Sequence, residues 1–242
     1  MKKIFTAFCL LLGYTISIAQ HTEFFAGSNA GILSFRGRSA VNSSFIVQSD
    51  VSSIGNYTND IYSKQSGIGI GIDIGVLRLT KSRLIYGMAT GMELLKHRVP
   101  VTDVAGITGS FAATGVVNVH SHFITIKPLA GYRFSLSNKI SLDVAASIEI
   151  PIGLAYLYEV GSATVKGSGE VITVENDRDE IITDVRTGVQ TKMNLSRYSL
   201  LLGYWLGQSN YYKGYIGGNP EAYSNLFRMG LSYRLNNGKQ KK

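Results

Sequence analysis

The chain has 242 residues, of which 45% are hydrophobic and 17% charged, with 27 glycines, 4 prolines and one cysteine, Cys9. So few charges at an ordinary apolar content argue against disorder, and a single cysteine excludes an intramolecular disulfide framework and a cysteine-based zinc cluster. The formal net charge of +8 comes from scattered basic residues, so we expect no nucleic-acid partner.

The first nineteen residues have the pattern of a secretory signal peptide. Two lysines precede the apolar stretch 4–13, and the small residues Ser17 and Ala19 occupy the −3 and −1 positions of a cleavage site before Gln20. The apolar stretch is too short to span a bilayer as a helix. We therefore expect residues 1–19 to be removed and the mature protein to act outside the cytoplasm.

After this segment the hydrophobic pattern has a period of two, which predicts β-strands. Glycine-rich and small residues oppose the apolar face in most segments, although the first segment is too noisy for its faces to be assigned. The eight predicted strands are about Glu23–Phe35, Gly67–Val76, Leu84–Leu95, Phe123–Phe134, Ile140–Tyr158, Ile181–Met193, Tyr198–Gly207 and Phe227–Leu235.

The connections between these strands alternate between long and short. Tight turns are predicted at 80–83, 135–138 and 194–197, and long polar loops at 36–65, 99–121, 160–180 and 208–222. This rhythm is typical of a bacterial outer-membrane barrel with long external loops and both termini in the periplasm. We therefore predict an all-β fold: one eight-stranded antiparallel transmembrane β-barrel, an up-and-down meander over residues 20–236, followed by a basic tail at 237–242.

A soluble β-sandwich would also alternate, with its apolar face inward. The small residues of the polar face fit a narrow lumen better than a water-exposed face, and aromatic residues at the strand ends fit two interfacial girdles. The predicted girdle residues are Tyr86, Tyr132, Phe134, Tyr156, Tyr158, Tyr198 and Tyr233.

The polar face also carries charges, which a narrow lumen can hold only in pairs. We predict a charge network that fills the lumen, and the alternative is a narrow ion path lined by the same residues. The predicted network residues are Asp73, Glu93, Lys127, Arg133, Asp143, Glu149, Asp184, Arg186, Lys192, Arg228 and Arg234.

A few polar residues near the outer ends of the third and fourth strands could carry chemistry. His120 and His122 share one face as a possible metal half-site. A serine, a histidine and a carboxylate from the set Glu93, His97, His120, Ser121 and His122 could form a rim-sited lipid-modifying centre. Alternation, however, places Ser121 opposite both histidines of the pair. We expect no catalytic residue, no metal site and no cofactor.

Three segments resemble the porin family of outer-membrane β-barrel proteins that includes PorT-like proteins. The resemblance rests on the ending Ile18-Ala19-Gln20, on HFITIKPLAGYRF at 122–134 and on the strand at 139–151. It extends over essentially the whole mature chain, and it implies the barrel fold and a location in the outer membrane.

We therefore expect an outer-membrane protein with a structural or surface-interaction role and no enzymatic activity. A small-solute channel and a rim-sited lipid-modifying enzyme are the alternatives. The expected partners are outer-membrane lipid, the barrel-assembly machinery and an extracellular ligand of the long loops. We expect a monomer.

Overall fold

The computed structural model describes residues 19–49, 55–107, 109–154, 156–180, 183–213 and 219–236, and the predicted signal peptide and basic tail lie almost wholly outside them. Along these ranges no helix is long and apolar enough to cross a membrane. The strands are β1 (Ala19–Arg36), β2 (Ser44–Val47), β3 (Tyr57–Thr58), β4 (Gly67–Thr80), β5 (Leu84–Gly106), β6 (Gly109–Ser135), β7 (Ile140–Gly153), β8 (Tyr156–Val165), β9 (Val171–Glu180), β10 (Arg186–Leu195), β11 (Tyr198–Gly207) and β12 (Tyr223–Arg234).

Eight of these strands close into a ring. Each ring strand pairs antiparallel with the next, in the order β1, β4, β5, β6, β7, β10, β11, β12, and the pairing of β12 with β1 from Phe25↔Arg234 to Arg36↔Tyr223 closes it. A closed ring has no free sheet edge, so the ladders use the main-chain donors and acceptors of the spanning strands. The predicted eight-stranded antiparallel barrel is confirmed.

The barrel is apolar on the outside and charged on the inside. On β4, Ile68, Ile70, Ile72 and Ile74 are 52–65% exposed, and comparable apolar side chains project outward from the other ring strands. On the inner face, charged side chains such as Glu149 are almost completely buried. This arrangement is the reverse of a soluble sandwich and is that of a transmembrane barrel.

The first strand, whose faces the sequence did not assign, follows the same rule. Glu23 and Leu33 point inward and are 4% and 1% exposed, whereas Phe24 and Ile32 point outward and are about half exposed. The adjacent phenylalanines Phe24 and Phe25 lie on opposite faces, which explains the noisy pattern. The lumen accepts Phe25 because β4 has a glycine, Gly75, where a Cβ atom would lie 2.5 Å from the Phe25 ring.

Two predicted strands differ in the structure. The long fifth segment, 140–158, is two strands, because β7 ends at Gly153 and β8, which starts at Tyr156, pairs with the upper part of β6. The sixth strand begins at Arg186 rather than at 181, and Asp184 precedes it. The period-two pattern continues past the end of β7 at Gly153, so the alternation alone could not reveal the end of that strand.

Three of the four predicted long loops contain strands. The segment 99–121 is the upper part of the β5–β6 hairpin, 160–180 holds most of the β8–β9 hairpin, and 36–65 holds β2 and β3. Together β2, β3, β8, β9, residues 96–106 of β5 and residues 109–120 of β6 form a unit that we call the head. The sheet order within it is β3-β2-β5-β6-β8-β9.

The head has a hydrophobic core of its own and is drawn together at its two sheet edges. Nine buried side chains fill it, among them Ile46, Val104 and Val117. Side chains connect β3 to β9 and β8: Arg178 on β9 donates to the Thr58 carbonyl at 2.6 Å, and the Thr58 amide donates to Glu159 on β8 at 3.3 Å. Burial raises the pKa of Glu159, while the Arg178 guanidinium opposes that rise. The long connections are thus a folded β-structure above the barrel.

Two exposed isoleucines test which surface meets hydrocarbon. Ile72 lies in the middle of the outward apolar run on β4, and Ile107 lies at the tip of the head, where it is 79% exposed. We expect Ile72→Arg to lower the free energy of unfolding by about 2–4 kcal/mol, the cost of a charge near the bilayer midplane. We expect Ile107→Arg to leave it unchanged within about 0.5 kcal/mol, as at ordinary water-exposed positions.

The measurement is guanidinium unfolding of the refolded protein in phospholipid vesicles, with Ile107→Arg as the matched control. Equal losses for the two variants would contradict the assignment of the belt to hydrocarbon.

Candidate functional site

The centre of the lumen holds two arginines and two glutamates in direct contact. Arg228 donates to Glu93 through Nη2 and to Glu149 through Nη1, and Arg186 Nη1 donates to Glu93 at 2.7 Å. All four residues are at most 2% exposed. Because each charge has an opposite charge on another strand, the cluster links β5, β7, β10 and β12 across the barrel. We call these four residues the central cluster.

Further residues extend the central cluster to both sides. Lys127 Nζ lies 2.8 Å from Asp73 Oδ1 and 3.9 Å from Glu149, and Asn29 donates to the other Asp73 oxygen at 2.6 Å. On the head side, Arg186 Nε donates to Asp184 at 3.2 Å. The Asp184 carboxylate also accepts hydrogen bonds from the hydroxyl groups of Ser224 and Tyr211 and from the main-chain amides of Val185 and Ser209.

A second cluster lies toward the short turns. Arg133 binds two carboxylates at once, Glu23 at 2.8 and 2.9 Å and Asp143 at 2.6 and 2.9 Å. Arg234 lies 3.2 Å from Glu23 and donates to the Ser196 carbonyl, which places it at the turn-side rim, where its side chain is 24% exposed. We call this set, with Lys192, the lower cluster.

Lys192 differs from the other predicted network residues. It is only 8% exposed, yet no carboxylate of the described residues lies within ion-pair distance of its Nζ. Its ammonium instead lies 4.2 Å from the centre of the Phe25 ring, a cation–π contact. Asp143 faces Lys192 in the β7–β10 register, but both of its oxygens accept hydrogen bonds from Arg133.

Positive and negative charges balance when the two clusters are counted together with Asp73, Lys127 and Asp184, which extend the central cluster. The described lumen residues in them include six acids and six bases. The acids are Glu23, Asp73, Glu93, Asp143, Glu149 and Asp184, and the bases are Lys127, Arg133, Arg186, Lys192, Arg228 and Arg234. The division is uneven, since the lower cluster has two acids and three bases.

Aromatic and aliphatic side chains close the lumen above the central cluster. Phe35 packs against Tyr62, His97 and Tyr211, with ring centres 5.0–5.2 Å apart. Burial lowers the pKa of His97 to about 4, so the ring is neutral at pH 7, and its Nε2 lies 2.7 Å from the Ile61 carbonyl. Burial also raises the pKa of Tyr211, which keeps its hydroxyl protonated as a donor to Asp184.

A cavity of about 70 Å³ lies between the two clusters, lined by residues from all eight ring strands. Lys127, Glu149 and Arg228 border it on one side and Lys192 and Asp143 on the other. Its apolar lining includes Leu77, Ile85, Leu129 and Trp205. The lumen is thus filled by paired charges and an apolar layer, and this cavity lies between the two charge clusters.

The histidines considered as a rim centre are not brought together. His97 and Ser121 point inward and are buried, whereas His122 points outward and is exposed, and His120 lies beside Tyr158 with ring centres 6.2 Å apart. Within the described residues no group of three or more histidine, cysteine or acidic side chains could hold a metal ion.

Five of the seven predicted girdle residues lie at the short-turn end of the barrel wall. At the short-turn end Tyr132 stacks edge-on against Phe134 at 4.9 Å, Tyr198 pairs with Tyr233 at 5.3 Å, and Tyr86 lies on the same outer face. Tyr158 lies on β8, in register with His120, rather than at the end of a ring strand. The side chain of Tyr156 is outside the described residues.

Several lumen residues were not predicted from the sequence. Glu23 and Asn29 are among them, because the faces of the first strand were not assigned. The even spacing of these two polar residues along the strand, which places them on one face, could have revealed them. Tyr211 and Ser224 lie in or next to a predicted loop, and no local pattern marks them as ligands of Asp184.

No family model and no curated protein sequence matches the chain. Among solved structures, Neisserial surface protein A aligns over 88% of this chain and 97% of its own at 10% identity and a TM-score of 0.39. The attachment invasion locus protein Ail of Yersinia pestis, in complex with the heparin analogue sucrose octasulfate, aligns over 89% and 98% at 10% identity and 0.34. The toluene transporter TodX of P. putida aligns over 90% of both chains at 10% identity and 0.29. These values are too low to bear on function, and the transmembrane-barrel fold rests on the ring and belt described above.

The central cluster can be tested by removing one arginine. Arg228→Met leaves Glu149 with no close partner except Lys127 and Arg186 at 3.9 Å, so we expect a loss of about 3–5 kcal/mol in unfolding free energy. Arg38→Met, which removes an exposed pair with Glu221, is the matched control, and we expect no measurable loss there.

Adding Glu149→Gln to Arg228→Met should recover part of the loss, because the unpaired negative charge is then gone. Denaturant unfolding in vesicles measures all three. A loss for Arg228→Met no larger than for Arg38→Met would contradict the tightly paired lumen.

Proposed function

We propose that the protein is an outer-membrane surface protein, in which a non-conducting barrel anchors a β-structured head for interactions outside the cell. The observation that carries the proposal is the extension of β5 and β6 beyond the apolar belt into a head with its own core, above a lumen filled by ion pairs. A barrel whose role was passage would gain nothing from a lumen closed by two charge clusters and an aromatic layer.

The location in the outer membrane is supported by the outer surface of the barrel. The ring presents an outward apolar belt with aromatic pairs at the short-turn end, as lipid-spanning barrels require. The predicted signal peptide supports export. The short turns face the periplasm in this proposal, and the head faces outward.

Outer-membrane lipid is a partner on this account, and the surface just above the belt supports it. Lys96 and Arg98 on β5 and His122 on β6 are exposed, with His120 between them, and no acid of the described residues pairs with either cation. Partial burial and the nearby Lys96 lower the pKa of His120. A row of cations at a membrane interface complements phosphate-bearing lipid headgroups.

The head offers a surface for an extracellular partner. Its tip exposes Ile107 and Phe111, and β9 exposes Val171. Exposed apolar residues on a rigid scaffold are a common basis for protein recognition.

We propose a non-catalytic role, supported by the separation of His97 from His120 and His122. We also propose a monomer, inserted by the barrel-assembly machinery, that belongs to the porin family with PorT-like proteins on the resemblance of segments 122–134 and 139–151.

A pair of cysteine variants tests the surface role and its orientation. The predicted mature chain has no cysteine, because Cys9 lies in the signal peptide. On intact cells we expect Ile107→Cys at the head tip to react with a membrane-impermeant maleimide. Lys81→Cys, in the short turn between β4 and β5, should react only after the outer membrane is permeabilised.

The reverse pattern, with Lys81→Cys labelled and Ile107→Cys protected on intact cells, would place the head in the periplasm and remove the surface role.

A further inference from the structure

The lower cluster contains one cation more than it has acids, and that cation is Lys192. Arg133 saturates Asp143 and shares Glu23 with Arg234, so no carboxylate remains for the Lys192 ammonium among the described residues. Lys192 as a whole is only 8% exposed, so its ammonium is poorly hydrated and has no counter-charge within ion-pair distance among the described residues. A cation–π contact with Phe25 offsets only part of the cost of such a charge. The site therefore favours an additional anion.

The cavity beside Lys192 has room for one. One buried water requires a cavity volume of roughly 10–15 Å³. The cavity of about 70 Å³ can therefore hold roughly five to seven non-hydrogen atoms. Lys192 and Gln190 line it from β10, and Asn29 and Ser147 also contribute polar atoms.

The charged residues that also border the cavity, Asp73, Lys127, Asp143, Glu149 and Arg228, are held in ion pairs with one another or with Arg133. Much of the remaining lining is apolar, which restricts the kind of anion. Phe25, Leu129 and Leu201 line the cavity, and Leu77 and Ile85 belong to a buried cluster against which Phe25 and Leu129 pack. A compact inorganic anion would leave this surface in contact with water. A short aliphatic chain would cover it while its charged end meets Lys192.

We propose that the lumen cavity is a binding site for a short-chain monocarboxylate, with its carboxylate on the Lys192 ammonium and its aliphatic chain against Phe25, Leu129 and Leu201. The charge on the ligand compensates the unpaired lysine, and its apolar end excludes water from the cavity. Three acids line the cavity, and each is neutralised by a base: Asp143 by Arg133, Asp73 by Lys127 and Glu149 by Arg228. They therefore do not oppose binding strongly.

The protein contains a natural reporter of occupancy. Trp205 is the only tryptophan of the chain, it lines the same cavity, and its Nε1 donates to Ser147 Oγ at 2.8 Å. A ligand that enters the cavity changes the surroundings of the indole ring and hence its fluorescence emission.

The experiment is a titration of the full-length protein, refolded in phospholipid vesicles, with sodium butyrate at constant ionic strength while Trp205 emission is recorded. We expect a saturable change with butyrate and none with butyramide, its uncharged analogue, or with sodium chloride. This comparison uses the unmodified protein and so does not depend on the folding of any variant. Equal responses to butyrate and butyramide, or no saturable response to butyrate, would overturn the proposal.

Two substitutions then assign the site to Lys192. Lys192→Met should weaken butyrate binding by at least about tenfold, as expected for a lost charge-assisted hydrogen bond, whereas Lys192→Arg should retain it. Lys139→Met, in a short turn outside the cavity lining, is the matched control and should bind as the unmodified protein does. A Lys192→Met protein that keeps the shift of electrophoretic mobility on boiling, and also binds butyrate with unchanged affinity, would overturn the assignment.

Discussion

The closure of β12 onto β1 is the interaction on which the rest of the molecule depends. Hydrocarbon offers no partner to a main-chain N–H or C=O group, so every spanning strand needs a neighbour on both sides, and the ring provides them. A ring of eight strands leaves an interior just wide enough for side chains. The outward positions can then be apolar throughout, and every charge on a spanning strand must find its partner inside.

The charge clusters follow from this constraint. Arg186 reaches across the lumen to Glu93, and Arg228 reaches both Glu93 and Glu149. Arg133 reaches across to Glu23 while it also binds Asp143 on the adjacent strand β7. Such pairs cost desolvation, but breaking one of them costs more because the remaining charge stays buried. The clusters therefore tie opposite walls together and leave little free space, except in the cavity beside Lys192.

Above the belt the constraint changes, and the structure changes with it. Beyond Lys96 and His120 the strands are surrounded by water instead of lipid. Here β5 pairs with β2, β6 pairs with β8, and β8 pairs with β9. These added strands let β5 and β6 bury one face in the core of the head. The edges of this added sheet are joined by side chains, chiefly Arg178 and Glu159 with Thr58, rather than by a full ladder. The barrel thus acts as a rigid base that holds the head at a fixed height above the lipid.

The period-two pattern was sufficient to predict the ring and the faces of most strands, because one face of each spanning strand is dictated by lipid. It failed where that constraint is absent. β2 pairs parallel with a distant part of β5, and the break between β7 and β8 leaves the alternation intact, so neither could be inferred from local pattern. Eleven of the twelve charged lumen residues could be predicted, all but Glu23, whereas their pairing could not. Which acid meets which base depends on the tilt and stagger of the strands, and so the isolation of Lys192 becomes visible only in the structure.

The central claim is that the lumen is closed by its own side chains, and conductance across a planar lipid bilayer tests it most directly. The refolded full-length protein is added to one side and current is recorded under applied voltage in concentrated potassium chloride. Because the side chains of the two clusters fill the lumen, we expect no steady single-channel current from inserted protein. Discrete, reproducible conductance steps from the unmodified protein would contradict it, because ions could then pass the central cluster of Glu93, Glu149, Arg186 and Arg228.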